Sequence, residues 1–421
     1  AVHGIAVIEV AKTAGKWAYA QNSAFNFRLT PHSPIELSGP ARGSAQLITK
    51  YSPTGTNTRG TLNNCGTGKT PWGTFLTGEE NWVGYFYRNA TDNTARGNDK
   101  SVTSLNRYGR AQGAASRHGW ETGGSADKYQ RWDISKSGTS TDGSDDYRNE
   151  INGLGYIVEI DPYDRTRTAK KRSAMGRFAH ESAAFSVPTV GKPLSVYMGD
   201  DARNEYIYKF VSAANWDAAD ADPVSRMAAG DKYLDSGKLY VAKFNSDGTG
   251  QWVELSITNP AIAAYAGYSF ADQADVCVNA RLAADAVGAT KMDRPEWGAV
   301  NPINSEVYMT LTNNSNRGGA NQPAVDAANP RANNTQGNII RWKEDGDFSG
   351  QTFAWNHFVM AGDPSLERAE AKGKTSADDI IGWSREHMAA YKVPRIVEFA
   401  EALPKSGAGK VMWRLLQDRE G

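Results

Sequence analysis

Cysteine, net charge and long apolar runs are all scarce in this chain, and each scarcity removes a class of explanation. The two cysteines, Cys65 and Cys277, lie far apart in 421 residues, so no disulfide framework is implied. Lysine plus arginine and aspartate plus glutamate number 47 each, so no overall field draws the chain to nucleic acid or to an anionic membrane surface. Any anionic ligand must be held by local groups. No apolar run is long enough to span a bilayer. The chain opens at Ala1 without a charged and apolar signal segment, as expected of a mature or truncated product. No clean repeat period is visible, so spacing alone supports no solenoid or propeller.

What is present is β-rich. Up to about Asp363 the sequence is crowded with Gly, Asn, Asp, Thr and Trp, and its apolar residues come in short alternating or β-branched runs, the pattern of strands. Gly4 to Val10, Gly155 to Ile160, Ser195 to Met198 and Glu205 to Phe210 read this way. In KLYVAKFNSDGTGQWVEL, Asp247-Gly248 separates two apolar runs, predicting a hairpin whose glycine takes the positive φ of the turn. A second strand, Asp-Gly, strand segment follows around Asp345-Gly346. Recurrent antiparallel hairpins suit a β-propeller or a large sandwich. The polar stretches Asn89 to Asp145 and Asn313 to Asn338 read as long loops, and Ala271 to Val287 as one helix. After Pro364 the composition shifts to Ala, Glu, Lys and Arg, predicting a small α+β module: a helix behind Ser376 and Asp379, a strand at Arg395 to Phe399 and a helix at Val411 to Arg419.

Candidate chemistry concentrates in short motifs. Asn63 to Trp82 reads NNCGTGKTPWGTFLTGEENW and brings a thiol near two adjacent carboxylates. Gly66 to Thr70 invites a nucleotide P-loop reading, but that motif needs a glycine where Asn63 stands and a helix directly afterward. Cys65 is either a small buried residue or a thiolate ligand, and Glu79 and Glu80 are either solvated acids or ligands for hard cations. Further on come GRFAHE (Gly176 to Glu181), YMGDD (Tyr197 to Asp201) at a strand end, and KMDRPEW (Lys291 to Trp297). In the last, Arg294 between Asp293 and Glu296 is either a salt-bridge partner or a phosphate clamp, since its planar fork matches phosphate oxygens.

These motifs, with RLAADAVGATKMDRPEW as the last, stand in the order of the PhoX alkaline phosphatase signature, which residues 1 to about 363 resemble. The resemblance implies a six-bladed propeller, here partial, with a cluster of ferric and calcium ions at one mouth. It implies hydrolysis of small phosphate esters, and export to the periplasm or beyond by the twin-arginine route. Carried over residue by residue, it implies an iron-ligating thiolate at Cys65, metal-binding carboxylates at Glu80, Glu181, Asp200 and Glu296, and a phosphate-binding Arg294. Glu79, His180, Asp201 and Asp293 are implied as supporting positions. Family members also carry an Asn-His-Glu block before the segment matched here and a strand-rich stretch after it, so truncation at both ends is expected. The alternative to an enzyme is a non-catalytic propeller fragment that binds calcium or phosphate. From about Leu366 the chain resembles instead the C-terminal end of acyl-CoA synthetases, with Lys410 in the place of their adenylation lysine. The ATP-binding domain of those enzymes is absent, and no synthetase activity is expected.

Overall fold

The computed structural model describes residues 3–362, 377–387, 393–397, 404, 412, 414 and 415. The chain forms two compact units, Ala1–Ala361 and Gly362–Gly421.

In the first unit the alternating runs do become strands. A nine-stranded sheet has the spatial order Ala184–Phe185, Pro193–Gly199, Ile207–Asn215, Gly237–Phe244, Thr249–Glu254, Thr352–Met360, Asn338–Glu344, Val307–Leu311 and Pro295–Val300. Its neighbours pair antiparallel throughout. Both Asp-Gly hairpins form as their sequences require: Gly248 has φ 84° and Gly346 has φ 84°, and Asp247 accepts from the Thr249 amide at 2.9 Å. A six-stranded sheet holds Asn57–Arg59, Pro34–Ser38, Lys170–Arg172, Ile157–Ile160, Phe75–Glu79 and Asn64–Lys69 in that order, with Lys170–Arg172 parallel to Pro34–Ser38.

The mainly β expectation is met, but no propeller is seen among the described residues. A propeller separates four-stranded blades around a channel. Here Gly250 pairs with Phe353 and Thr249 with Ala354, which fuses a five-stranded and a four-stranded meander into one sheet. That sheet nearly closes on itself, since Pro295–Val300 returns against Pro193–Gly199. Gly199 permits the approach: a Cβ there would lie 2.5 Å from the Glu296 carbonyl oxygen.

Apolar faces fill two main cores. One gathers Trp72, Phe178, Met198, Tyr208 and Phe210, and the other stacks Tyr197, Trp252, Trp342 and Phe353. Tens of buried side chains at roughly 25 cal/mol per Å² of apolar area supply the main driving force for this unit.

Two expectations need correction. The stretch Asn89 to Asp145 contains helices Asp92–Ala95, Lys100–Arg107 and Asp127–Gln130 and a core of its own around Leu105, Trp132 and Ile134. Buried arginines hold it: Asp92 lies between Arg88 and Arg96 at 2.5 and 2.6 Å, and Arg96 caps the Ile134 carbonyl at 2.6 Å. A polar composition therefore concealed a packed insertion. The single helix predicted from Ala271 is two, Gln273–Val278 and Ala280–Ala286. Asn279 breaks it, at φ −114° and ψ 43°, with its amide on Asp275 and Tyr268 and its carbonyl oxygen accepting from Ser104.

In the second unit Ala377–His387 is the predicted helix. Arg395–Val397 form no strand, and Lys410 and most of Val411 to Arg419 lie outside the described residues. No helix among the described residues is long and apolar enough to cross a membrane.

Candidate metal centre

The glycines of NNCGTGKT explain why the site can form. Asn64–Lys69 is a strand paired with Phe75–Glu79, not a phosphate loop. The 180–183 segment lies directly on this hairpin: a Cβ on Gly66 would fall 0.6 Å from the Glu181 carbonyl oxygen, one on Gly68 2.4 Å from that of Ala183, and one on Gly78 2.3 Å from that of His180. Absence of a side chain is thus what brings Glu181 beside Cys65. The ladder is irregular between Asn64 and Thr67, as strands often are beside functional sites. Asn63 takes φ 50°, and its carbonyl accepts the Glu80 amide at 3.2 Å, which fixes Glu80 just beyond the strand end.

Three side chains meet here. One ligand atom each of Cys65, Glu80 and Glu181 lies within 4.8 Å of the others, and the Cys65 thiol donates to Glu181 Oε1 at 3.2 Å. Glu181 Oε2 is buried without a hydrogen-bond partner among the described residues. A buried, unsatisfied carboxylate oxygen is costly, and its position marks where a cation would sit.

Asp201, Arg294 and Glu296 complete the surroundings. Arg294 grips Asp201 through Nε to Oδ1 at 2.5 Å and Nη2 to Oδ2 at 3.1 Å, and Nη2 reaches Glu296 Oε1 at 3.5 Å. Arg294 also sits at φ 62°, a conformation that disfavours a side chain and collects at functional sites.

The electrostatics express crowding of acids. Burial pushes the Glu181 carboxyl up to about 7, Cys65 opposes by its hydrogen bond, and Asp201 and Glu296 add to the rise. Burial likewise lifts Asp201 to about 7, against the pull of Arg294 and with the push of Glu80. The Cys65 thiol is driven far above its ordinary value by burial and then by Glu181 and Glu80. Even with Arg294 beside it, such a set carries an excess of acids; a metal ion would oppose each of these shifts.

Asp200 stands apart from the group its neighbour joins. Both its oxygens are held by Arg281, Nε to Oδ2 at 2.8 Å and Nη2 to Oδ1 at 2.5 Å, and it accepts the Ala179 amide at 3.2 Å. Glu79 is likewise committed, to buried Lys171 at 2.8 Å and to the amides of Gly155 and Tyr156. Asp293 is paired with Arg317 at 2.8 Å and with Asn334. His180 stacks on Phe178 with ring centroids 3.7 Å apart and bonds the Gly176 carbonyl; burial pushes its pKa down to about 3.

The family model for alkaline phosphatase PhoX matches residues 1–382. The chain belongs to the PhoX alkaline phosphatase family. The solved structure of Pseudomonas fluorescens PhoX in complex with vanadate, a transition state analogue, is similar at a TM-score of 0.74 and 38% identity. That match covers 96% of this chain and 63% of that one. PhoX phosphatases are metal-dependent, and the residues here fit that demand through the orphaned Glu181 oxygen and a donor set joining thiol to carboxylates.

A short stretch carries a different likeness. A long-chain-fatty-acid–CoA ligase from Salmonella typhimurium is 43% identical over 61 residues, covering 14% of this chain and 9% of that one. The corresponding ligase of Haemophilus influenzae is 36% identical over 72 residues, 17% and 11% of the two chains. A feruloyl-CoA synthase from Amycolatopsis sp. is 41% identical over 39 residues, 9% and 8% of the two chains. This chain thus spans about a tenth of those curated proteins.

Proposed function

We propose that this chain hydrolyses small phosphate monoesters at the cluster formed by Cys65, Glu80, Glu181, Asp201, Arg294 and Glu296, with iron and calcium as its metals. The observation that carries the reading is the juxtaposition of an orphaned, buried carboxylate oxygen on Glu181 with a strained Arg294 aimed by Asp201. A thiol favours a softer ion such as iron and carboxylates a hard one such as calcium, so the mixed donor set supports two kinds of metal.

When bound, the metals would supply the concentrated positive charge that phosphoryl transfer requires. The chain's own part is positioning. Asp201 and Glu296 occupy Nε and Nη2 of Arg294, which leaves Nη1 for a phosphate oxygen. A guanidinium fixed beforehand stabilises charge gathering on equatorial oxygens without reorganising. The vanadate held by the Pseudomonas fluorescens relative supports a site of this kind. In this reading Asp201, rather than Asp200, takes the metal-binding place at the strand end. In this reading residues 1–363 form the phosphatase region and 364–421 an appendage. The protein acts in the periplasm or outside the cell.

Phosphate release from p-nitrophenyl phosphate by the metal-loaded chain tests this directly. Removing one preorganised charge stabiliser typically costs about a hundredfold or more in rate, so Arg294→Ala is expected to fall by that factor and Cys65→Ala to lose most activity. Variants as active as the parent would place the chemistry elsewhere.

A further inference from the structure

Beside the cluster stands a wall of aromatic and basic side chains that the phosphate-handling groups do not use. It is tied to the site by the chain itself. Glu80 and Asn81 lead straight into the short helix Trp82–Tyr85. The Tyr85 hydroxyl donates to Asn63 Oδ1 at 3.0 Å, in the same Asn63 whose carbonyl fixes Glu80. Having donated its one proton there, Tyr85 accepts from His3 Nε2 at 3.0 Å. Tyr85 also lies within the field of both Glu80 and Arg117.

Around Tyr85 three more rings gather. His118 lies 4.6 Å from it and Trp120 5.0 Å, centroid to centroid, and His3 sits 5.7 Å from Trp120. The segment carrying these groups is pinned in place: the Arg117 amide donates to the Gly84 carbonyl at 2.7 Å, and Ser116 bridges the Gly119 amide and Glu121. Yet the outer groups face solvent. Arg117 and His118 are exposed and Trp120 half-buried, and Arg117 makes no ion pair among the described residues.

We propose that this wall is the subsite for the alcohol portion of the ester and that it selects a planar aromatic group, aryl or nucleobase, stacked against Trp120 and His118. The proposal rests on the phosphatase reading of the adjoining cluster. A phosphate held at Arg294 and the metals leaves its substituent to run along a neighbouring surface. The surface beside Glu80 offers π faces and the exposed guanidinium of Arg117, able to meet a ring face or a further anionic group. An aliphatic substituent such as glycerol would gain little from it.

The test separates binding from turnover by using phosphonates, which are not hydrolysed. Calorimetric titration of the metal-loaded chain with phenylphosphonate and with methylphosphonate should show the phenyl compound bound about tenfold more tightly, the scale of one aromatic stack. His118→Ala and Trp120→Ala should each shrink that ratio several-fold, while Trp120→Phe keeps most of it. Trp120 also packs on Trp132 at 4.8 Å, so the exposed His118→Ala variant carries the test should Trp120→Ala fold poorly. A nucleoside phosphonate as a third ligand separates a nucleobase from a simple ring. Equal affinity for the phenyl and methyl compounds, or a ratio unmoved by these variants, would overturn the subsite. If the chain releases phosphate from esters yet shows no aromatic preference, the subsite falls and the phosphatase reading stands. If it binds neither phosphonate and hydrolyses nothing, both fall.

Discussion

Gly66→Ala probes the link between strand packing and the metal centre most sharply. Gly66 has no left-handed backbone, so its requirement is room alone. The new Cβ would lie 0.6 Å from the Glu181 carbonyl oxygen, 1.6 Å from its carbon and 2.4 Å from the Ser182 nitrogen. Ordinary contact between such atoms is about 3.5 Å, so the 180–182 backbone must retreat by roughly 3 Å. That retreat pulls Glu181 away from Cys65, now hydrogen-bonded at 3.2 Å, and from the Gly199 carbonyl that accepts its amide at 3.3 Å. Overpacking of this kind costs about 1 to 3 kcal/mol, and backbone meeting backbone puts it at about 3. Gly109→Ala is the control: φ is 75° and nothing lies within 4 Å, so it costs only backbone strain of about 1 to 2 kcal/mol. Urea unfolding of the metal-free proteins gives the stabilities and calorimetry of the metal gives affinity. A Gly66→Ala protein that keeps parental metal affinity would refute the reasoning, because Glu181 would not then depend on that contact.

Further predictions concern the charge network behind the site and in the insertion. Arg281→Met removes the bidentate partner of buried Asp200, leaving an uncompensated carboxylate; a stability loss of about 3 to 5 kcal/mol is expected by denaturant titration, and a loss below 1 would show that Asp200 is otherwise satisfied. For Asp92, burial pushes the carboxyl up, but Arg96, Arg88 and the Lys136 amide outweigh it and leave it below its ordinary value. Its contribution is therefore present above the unfolded pKa near 4 and lost as pH falls through the lower folded value. Asp92→Asn should be less stable at pH 7 and lose less stability on acidification below about pH 4; parallel acid limbs in parent and variant would contradict this.

Much of the candidate site was legible because its residues sit in compact motifs whose order carries the family likeness. Cys65, Glu80 and Glu181 were all named from sequence and lie together. That Asp201 lies beside Glu80 and Arg294 while Asp200 pairs with Arg281 was not legible. Successive residues at a strand end point to opposite sides, and which side faces Glu80 and Arg294 depends on how the chain turns: the Asp200 amide bonds Tyr206 and the Asp201 amide bonds Ala179. The left-handed backbone of Arg294 left no sequence signal either, since arginine is an uncommon occupant of that region.

The fold was readable at the level of hairpins, where Asp-Gly turns announce themselves, and unreadable at the level of sheet assembly. Joining Thr249–Glu254 to Thr352–Met360 is a pairing across roughly a hundred residues, which no local pattern encodes. The packed insertion after Asn89 escaped notice because buried arginines hold it, and arginine ordinarily signals a solvated surface. The wall around Tyr85 was missed for a related reason. Its rings come from His3, Tyr85, His118 and Trp120, and only the fold assembles them.

In the proposed reading Cys65, Glu80 and Glu181 belong to a metal centre of the PhoX type. Elemental analysis of the extensively washed chain tests it most directly, set beside Cys65→Ala and Glu181→Gln. Iron and calcium should be retained by the parent, with iron lost from Cys65→Ala and both metals reduced in Glu181→Gln. A parent that retains neither metal, or variants with parental content, would contradict it.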